Sequence, residues 1–214
     1  MCHGILKSLC LVFIFSFAHF SFAEEGESLG YEDLATIQPV QETDKVEVIE
    51  FFWYGCPHCY DFEPKLSKWE ENLPKNVNFI RQPTIFNAVW GKHAKAYYVA
   101  ESLGVVEKVH TDFFEAIQNK KQKLQTEDQL VKFFIAHGVD EKQFRDTYNS
   151  FLVDTKMRQA QAIAPRYGIT GVPAVVVNGR YKVTARSAGS HDKMIEVINK
   201  LIKKETARLA PEDQ

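Results

Sequence analysis

Residues 46–60 read Val46-Glu47-Val48-Ile49-Glu50-Phe51-Phe52-Trp53-Tyr54-Gly55-Cys56-Pro57-His58-Cys59-Tyr60. The first seven form a β-branched and aromatic run that predicts a buried strand, and Trp53-Tyr54-Gly55 predicts a turn. Beyond the turn, apolar residues fall at Phe62, Leu66 and Trp69, up to Leu73-Pro74, at helical spacings of three and four. A helix is therefore expected to open near Cys56, with Pro57 in the first turn, where a missing N–H costs nothing. Val77 to Gln82 follows as a second strand, which completes a strand-helix-strand unit and implies a parallel pair with a right-handed crossover.

Downstream the pattern changes. Helical periodicity places pieces near Val89–Leu103, Glu107–Asn119, Thr126–His137 and Glu141–Asn149, punctuated by Gly104, Gly138 and the capping residues Thr126 and Asp140. A further helix is expected over Thr155–Tyr167, then a strand Ala174–Val177, an Asn178-Gly179 hairpin turn, a strand Arg180–Val183 and a closing helix from His191 to about Ala207. Upstream, residues 24–44 form an acidic and polar lead-in with one edge strand around Ile37–Val40. Residues 24–85, 86–153 and 154–214 thus divide as the first part of an α/β domain, a helical insertion and the second part of that domain. No repeat or low-complexity tract interrupts this order.

Composition excludes several classes. With 45% hydrophobic and 25% charged residues the chain is neither disordered, collagenous nor a multispan membrane protein. A net charge of −2 provides no general basic field, which argues against nucleic acid as a partner.

The first 23 residues stand apart. Lys7 is their only charge, Leu9 to Phe20 is almost wholly apolar, and Ser21-Phe22-Ala23 places small residues at the −3 and −1 positions of a signal-peptidase site. Leu9 to Ala23 would reach roughly 22 Å as a helix, short of the about 30 Å hydrocarbon core, which favours a cleaved signal over a retained anchor. Cleavage before Glu24 would remove Cys2 and Cys10 and leave Cys56 and Cys59 as the only cysteines. In an exported protein this pair meets oxidants, but its ring is so short that loop entropy offers at most roughly 2 kcal/mol. A redox role explains it better than a staple.

The order of elements, with Cys56-Pro57-His58-Cys59 opening the first long helix and Gly171-Val172-Pro173-Ala174 just before the last strand pair, resembles the thioredoxin fold with an all-helical insertion found in the DsbA-type disulfide oxidoreductases of bacterial envelopes. Glu50-Phe51-Phe52, Tyr60, Phe62-Glu63, Ala100 to Lys108 and Val177-Asn178-Gly179 carry the same likeness, which spans residues 40–205. The tail Pro211–Gln214 matches no part of it.

Disulfide exchange needs a thiolate to attack a sulfur and a second thiol to resolve the mixed disulfide. Cys56, at a helix start, would gain from unpaired N–H groups and the helix dipole, while Cys59, one turn inside, would resolve. His58 adds a positive charge or an N–H donor near the Cys56 sulfur. Because only the reduced protein holds the thiolate, whatever stabilises it makes the disulfide form a stronger oxidant. The resemblance implies a cis peptide bond before Pro173, a loop facing the cysteine pair, and a Val172 backbone that pairs with a substrate strand. It further implies that Val172, the residue before the proline, would tune mixed-disulfide resolution. Glu50 shares a strand face with Val46, Val48 and Phe52, so it is expected as a buried carboxyl that accepts the Cys59 proton, pairs with Arg81 on the neighbouring strand, or does both.

No metal and no cofactor are expected. A C-x-x-C pair supplies two zinc ligands, and His93, His110, His137 and His191 lack any metal-ligand spacing to complete a site. Those histidines are expected at the surface or as hydrogen-bonded polar residues. Trp53, Tyr54, Trp90, Tyr97 and Tyr98 are expected in the core, with a peptide-binding surface as the alternative. Lys120-Lys121-Gln122-Lys123 is expected as a solvated loop.

The expected protein is a periplasmic, monomeric thiol oxidase that passes the Cys56–Cys59 disulfide to unfolded exported proteins and is reoxidised by a membrane, quinone-linked partner of the DsbB type. Rival readings are a disulfide isomerase or reductase, disfavoured because residues 24–44 are too few for a dimerisation domain, and a non-catalytic chaperone or binding module. A glutathione-conjugate isomerase or transferase on the same fold is disfavoured by the complete cysteine pair.

Overall fold

The computed structural model describes Met1 and residues 29–210. Residues 2–28 and 211–214 stand outside that description, and with them the expected signal segment, its cleavage after Ala23 and the Pro211–Gln214 tail. Among the described residues five strands form one sheet: β1 (Glu32–Asp33), β2 (Val46–Phe52), β3 (Val77–Pro83), β4 (Ala174–Val177) and β5 (Tyr181–Thr184), in the spatial order β1-β5-β4-β2-β3. The central strand β2 is parallel to β3, with Val46 opposite Val77 and Glu50 opposite Arg81, and antiparallel to β4. Eight helices among the described residues accompany them: α1 (Pro57–Glu70), α2 (Ala88–Ser102), α3 (Val106–Gln118), α4 (Glu127–Ala136), α5 (Glu141–Tyr148), α6 (Phe151–Arg166), α7 (Ala185–Ala188) and α8 (His191–Leu209).

Every residue of β2 is buried, because helices cover both faces of the sheet. Val46 and Val48 point to the α1 and α8 side, where they pack with Phe62, Leu66, Val175, Val177, Met194, Ile198 and Leu201. Ile49 and Phe51 point the other way, against Ala164, Tyr167 and Ile169 at the end of α6. Each such side chain, when fully buried, contributes roughly 1.5–3 kcal/mol. Phe52 and Tyr54, at the sheet's carboxyl end, join the third cluster, which α2 to α6 supply through Val99, Phe113, Phe114, Phe134 and Phe144. The strand that leads into the cysteine pair is therefore buried along its whole length.

The hairpin forms as its dipeptide dictates. Asn178 and Gly179 both have positive φ, 51° and 61°. A Cβ on Gly179 would lie 2.2 Å from the Gln38 carbonyl, so no other residue fits.

Three expectations are corrected. The lead-in strand is Glu32–Asp33, not Ile37–Val40: Ile37 is exposed, and the later segment gives the sheet only the Gln38 N–H to Gly179 carbonyl bond, at 2.8 Å. Helix α6 begins at Phe151, four residues before Thr155, because the Ser150 hydroxyl caps the Val153 N–H, while exposed Phe151 and Leu152 obscure its apolar stripe. Helix α7 was not expected. It is a single turn closed by a Thr184–Ser187 capping box and ended by Gly189 at φ 96°.

Candidate active site at the start of helix α1

The cysteine pair sits where β2 hands over to α1. The Cys56 N–H donates to the Trp53 carbonyl at 2.9 Å, which closes the turn, and Gly55 is required there because a Cβ would meet the Trp53 ring at 2.2 Å. Cys56 is the N-cap, with extended backbone (φ −88°, ψ 114°), and Pro57 opens the helix. Its sulfur accepts the Cys59 N–H at 3.3 Å, as a serine or aspartate cap would. Pro57 and His58 are exposed, Cys56 retains 7% of its surface and Cys59 none. Both cysteines are thiols.

This arrangement separates the two sulfurs chemically. Donation from the Cys59 thiol holds Cys56 down from 9 to about 7, helped by the Cys59 and His58 amides and the charge of the His58 ring, although burial pushes the other way. Burial, and donation to Cys56, drive Cys59 far upward. One thiol is thus half ionised at neutral pH while its neighbour keeps its proton.

Val172-Pro173 is a cis peptide, and its loop returns to the cysteine pair. The Cys56 thiol lies 3.5 Å from the Val172 carbonyl as donor to acceptor. A groove of about 450 Å³ runs beside it, lined by His58, Val172, Pro173, Thr184 and His191 among others. Cys56, Pro57, His58, Val172 and Pro173, far apart in the chain, are therefore neighbours in space.

Glu50 is wholly buried beneath them. Arg81 comes within 3.7 Å of it through Nε, as the strand register anticipates. The same guanidinium reaches Glu63 at 3.4 Å and Glu70 at 2.6 Å. Burial first, and then the Glu63 charge, raise the Glu50 carboxyl well above its ordinary range, which Arg81 only partly offsets. Burial also pushes Glu63 up, but the His110 ring, Arg81 and the Ser67 hydroxyl hold it below the usual carboxylate range. Two buried carboxyls on one arginine are thus pushed in opposite directions, Glu50 toward holding a proton and Glu63 toward holding a charge. The charges of Glu50 and both thiols act on one another.

The sequence reading did not single out His110, Glu63 or Tyr54 for this cluster. His110 is 4% exposed and sits 2.8 Å from the Tyr54 hydroxyl and 3.4 Å from Glu63. Its position one turn before Phe114 on the apolar stripe of α3 was the available signal. The aromatic residues divide. Tyr54, Tyr97 and Tyr98 are buried, whereas Trp53 and Trp90 are half-buried and stack at 4.2 Å. The Trp53 indole N–H donates to His93 Nδ1 at 3.0 Å, so His93 Nε2 carries the hydrogen bonded to the Lys123 carbonyl. Residues 120–123 are exposed. Among the described residues no group of three or more His, Cys, Asp or Glu is placed to hold a metal.

Comparison with known proteins gives the same neighbourhood. Residues 90–196 match the model of the DSBA-like thioredoxin domain family. The chain is 42% identical over 177 residues to the thiol:disulfide interchange protein DsbA of Pseudomonas aeruginosa, covering 83% of this chain and 84% of that one. It is likewise 42% identical over 175 residues to the DsbA of Azotobacter vinelandii, covering 82% of each. The crystal structure of P. aeruginosa DsbA superposes with a TM-score of 0.81, covering 84% of this chain and 93% of that one at 42% identity. The oxidoreductase DsbA of Xylella fastidiosa does so with a TM-score of 0.78 at 34% identity, covering 83% and 96%.

Proposed function

The chain belongs to the DsbA family of thiol:disulfide interchange proteins, and from that premise we propose that it is a thiol:disulfide oxidoreductase whose Cys56–Cys59 disulfide is donated to newly exported proteins. The observation that carries this reading is the asymmetry of the pair: a helix-capping Cys56 held down to about 7, backed by a Cys59 that burial keeps protonated.

In the oxidised protein a client thiolate attacks Cys56 Sγ and breaks the Cys56–Cys59 bond. Cys59 leaves and takes a proton, for which the protonated Glu50 carboxyl is the buried source. A second client thiolate then attacks the client sulfur of the mixed disulfide and expels Cys56 as a thiolate, the better leaving group of the two. Two electrons pass from client to protein, and the client leaves as a disulfide. The Val172-Pro173 loop and the groove beside His58 hold the extended client chain, with the Val172 backbone as its hydrogen-bonding edge.

Reoxidation falls to a membrane, quinone-linked partner of the DsbB type. Residues 24–85 and 154–214 work as one thioredoxin-like domain with residues 86–153 as its helical insertion, in a monomer exported to the periplasm. Oxidative refolding of a reduced multi-disulfide client tests the reading. The oxidised protein should accelerate disulfide formation and Cys56→Ser should not, whereas equal rates would leave only a binding or chaperone role.

A further inference from the structure

We propose that His110 is a positioning residue for disulfide exchange, its imidazole tying the cysteine loop to the buried carboxylate cluster and setting how readily Glu50 takes the Cys59 proton. The inference rests on the oxidoreductase reading and extends it to a residue outside the cysteine motif and its loop.

His110 is enclosed on every side. Tyr54 faces it from the cysteine loop, Glu63 from α1 and Tyr97 from α2, and Phe52 and Phe114 present ring edges to it at centroid distances of 5.2 and 5.3 Å. Beyond Glu63 stand Arg81 on β3, Glu50 on β2 and Glu70 further along α1. The His110–Glu63 approach is an ion-pair distance without an aligned hydrogen bond. His110 Nε2, Glu63 Oε2, Arg81 Nε and both Glu50 oxygens are all buried without a hydrogen-bond partner among the described residues. Such atoms are costly to leave unmatched unless protons and charge can redistribute among them.

The charges do not balance without a mobile proton. One guanidinium faces three carboxyls, two of them buried: Glu63 at 3% and Glu50 at 0% exposure. With a neutral His110 the matching proton must remain on Glu50. With an imidazolium, the Glu63 charge is answered directly and Glu50 is released to act as a base. One proton passing between His110 and Glu50 therefore links the two states. The Tyr54 hydroxyl serves both states, donating to a bare Nδ1 or accepting from a protonated one.

The step that reads this out is resolution of a mixed disulfide. Cys56 thiolate attacks glutathione disulfide and one glutathione thiolate leaves. Cys59 then gives its proton to the Glu50 carboxylate, whose own proton has passed to His110, its sulfur attacks Cys56 Sγ, the Cys56–Cys59 bond forms, and the second glutathione leaves as a thiolate that takes a proton from water. The protein loses two electrons and the glutathione disulfide gains them.

His110→Gln keeps an acceptor for Tyr54 and a donor for Glu63 but cannot carry charge. Resolution of the Cys56–glutathione disulfide should slow about tenfold at pH 7, with its pH midpoint moved up by about one unit and the wild-type rate regained in alkali. The Cys56 alkylation midpoint in a Cys59→Ser background should not move. An unmoved resolution midpoint, or a loss of rate equal at every pH, would overturn the assignment. Should the variant not fold, carbon-13 titration of the wild type decides: the Glu50 carboxyl and the His110 ring must share an inflection, and independent curves contradict the proposal. If wild-type protein forms the mixed disulfide and never resolves it, the oxidoreductase reading itself fails. If it resolves and His110→Gln follows the same pH curve, only the role of His110 fails.

Discussion

The Cys59 amide donates to the Cys56 sulfur at 3.3 Å, while the Cys59 thiol itself is wholly buried and donates to the same atom. One residue therefore helps its partner twice, as a backbone cap and as a thiol, and is itself left with a proton that burial makes hard to lose. That single relationship divides the pair into an attacking and a resolving sulfur.

A pH-dependent stability of the reduced form follows. Cys56 is held at about 7 when folded against about 9 when unfolded, so the folded reduced chain gives up its proton first. The stabilisation is complete above the unfolded value, is worth roughly 3 kcal/mol there, and disappears as pH falls through 7. The oxidised protein has no such group. The melting temperature of the reduced form minus that of the oxidised form should widen from pH 6 to pH 8.5. A difference that is constant or shrinks over that window contradicts the thiolate account.

Glu50→Gln replaces the buried carboxyl by a group of the same shape that neither holds nor accepts a titratable proton. Because burial already disfavours the Glu50 charge, fold stability should change by less than about 1 kcal/mol, within the range of an isosteric swap. Resolution by Cys59 should nonetheless slow ten- to about a hundredfold at neutral pH, toward the lower end of general acid–base contributions. Unaltered resolution kinetics would confine Glu50 to a structural role.

Arg81→Met removes the guanidinium that faces Glu50, Glu63 and Glu70 together. Taking one partner from a buried ion cluster costs about 3–5 kcal/mol, and Arg81 is 9% exposed. Denaturant unfolding should show a loss of this size at pH 7 that is smaller at pH 4.5, because Glu63, which Arg81 helps to hold down, takes up a proton more readily once the guanidinium is gone. A pH-independent loss would place the effect in packing alone.

Gly55→Ala tests the cysteine loop. The added methyl would fall 2.2–2.6 Å from three Trp53 ring atoms, and the indole is held by His93 and by its stack on Trp90. A loss of about 1–3 kcal/mol is expected, together with altered tryptophan fluorescence. Neutral stability with an unchanged spectrum would show that the indole moves freely.

Local chemistry made much of this legible in advance. The β2 run, the helix opening at Pro57, the Asn178-Gly179 turn and the position of Glu50 opposite Arg81 each follow from a few consecutive residues or from strand alternation. Strand β1 was not legible, because Glu32 and Asp33 carry no strand pattern and are paired only by Lys182 and Tyr181, some 150 residues away in the chain. His110 was hidden differently. A histidine on a buried helical stripe looks like any satisfied core residue until the fold places Glu63 and Tyr54 on either side of its ring. Long-range meetings of polar groups leave no periodicity to read.

The most direct test is the pH dependence of Cys56 alkylation in the reduced protein, followed with iodoacetamide and mass spectrometry. A midpoint at pH 7 or below, with Cys59 unmodified throughout the neutral range, is the expected result. A midpoint near the ordinary thiol value of about 9, or equal labelling of both cysteines, would contradict the account.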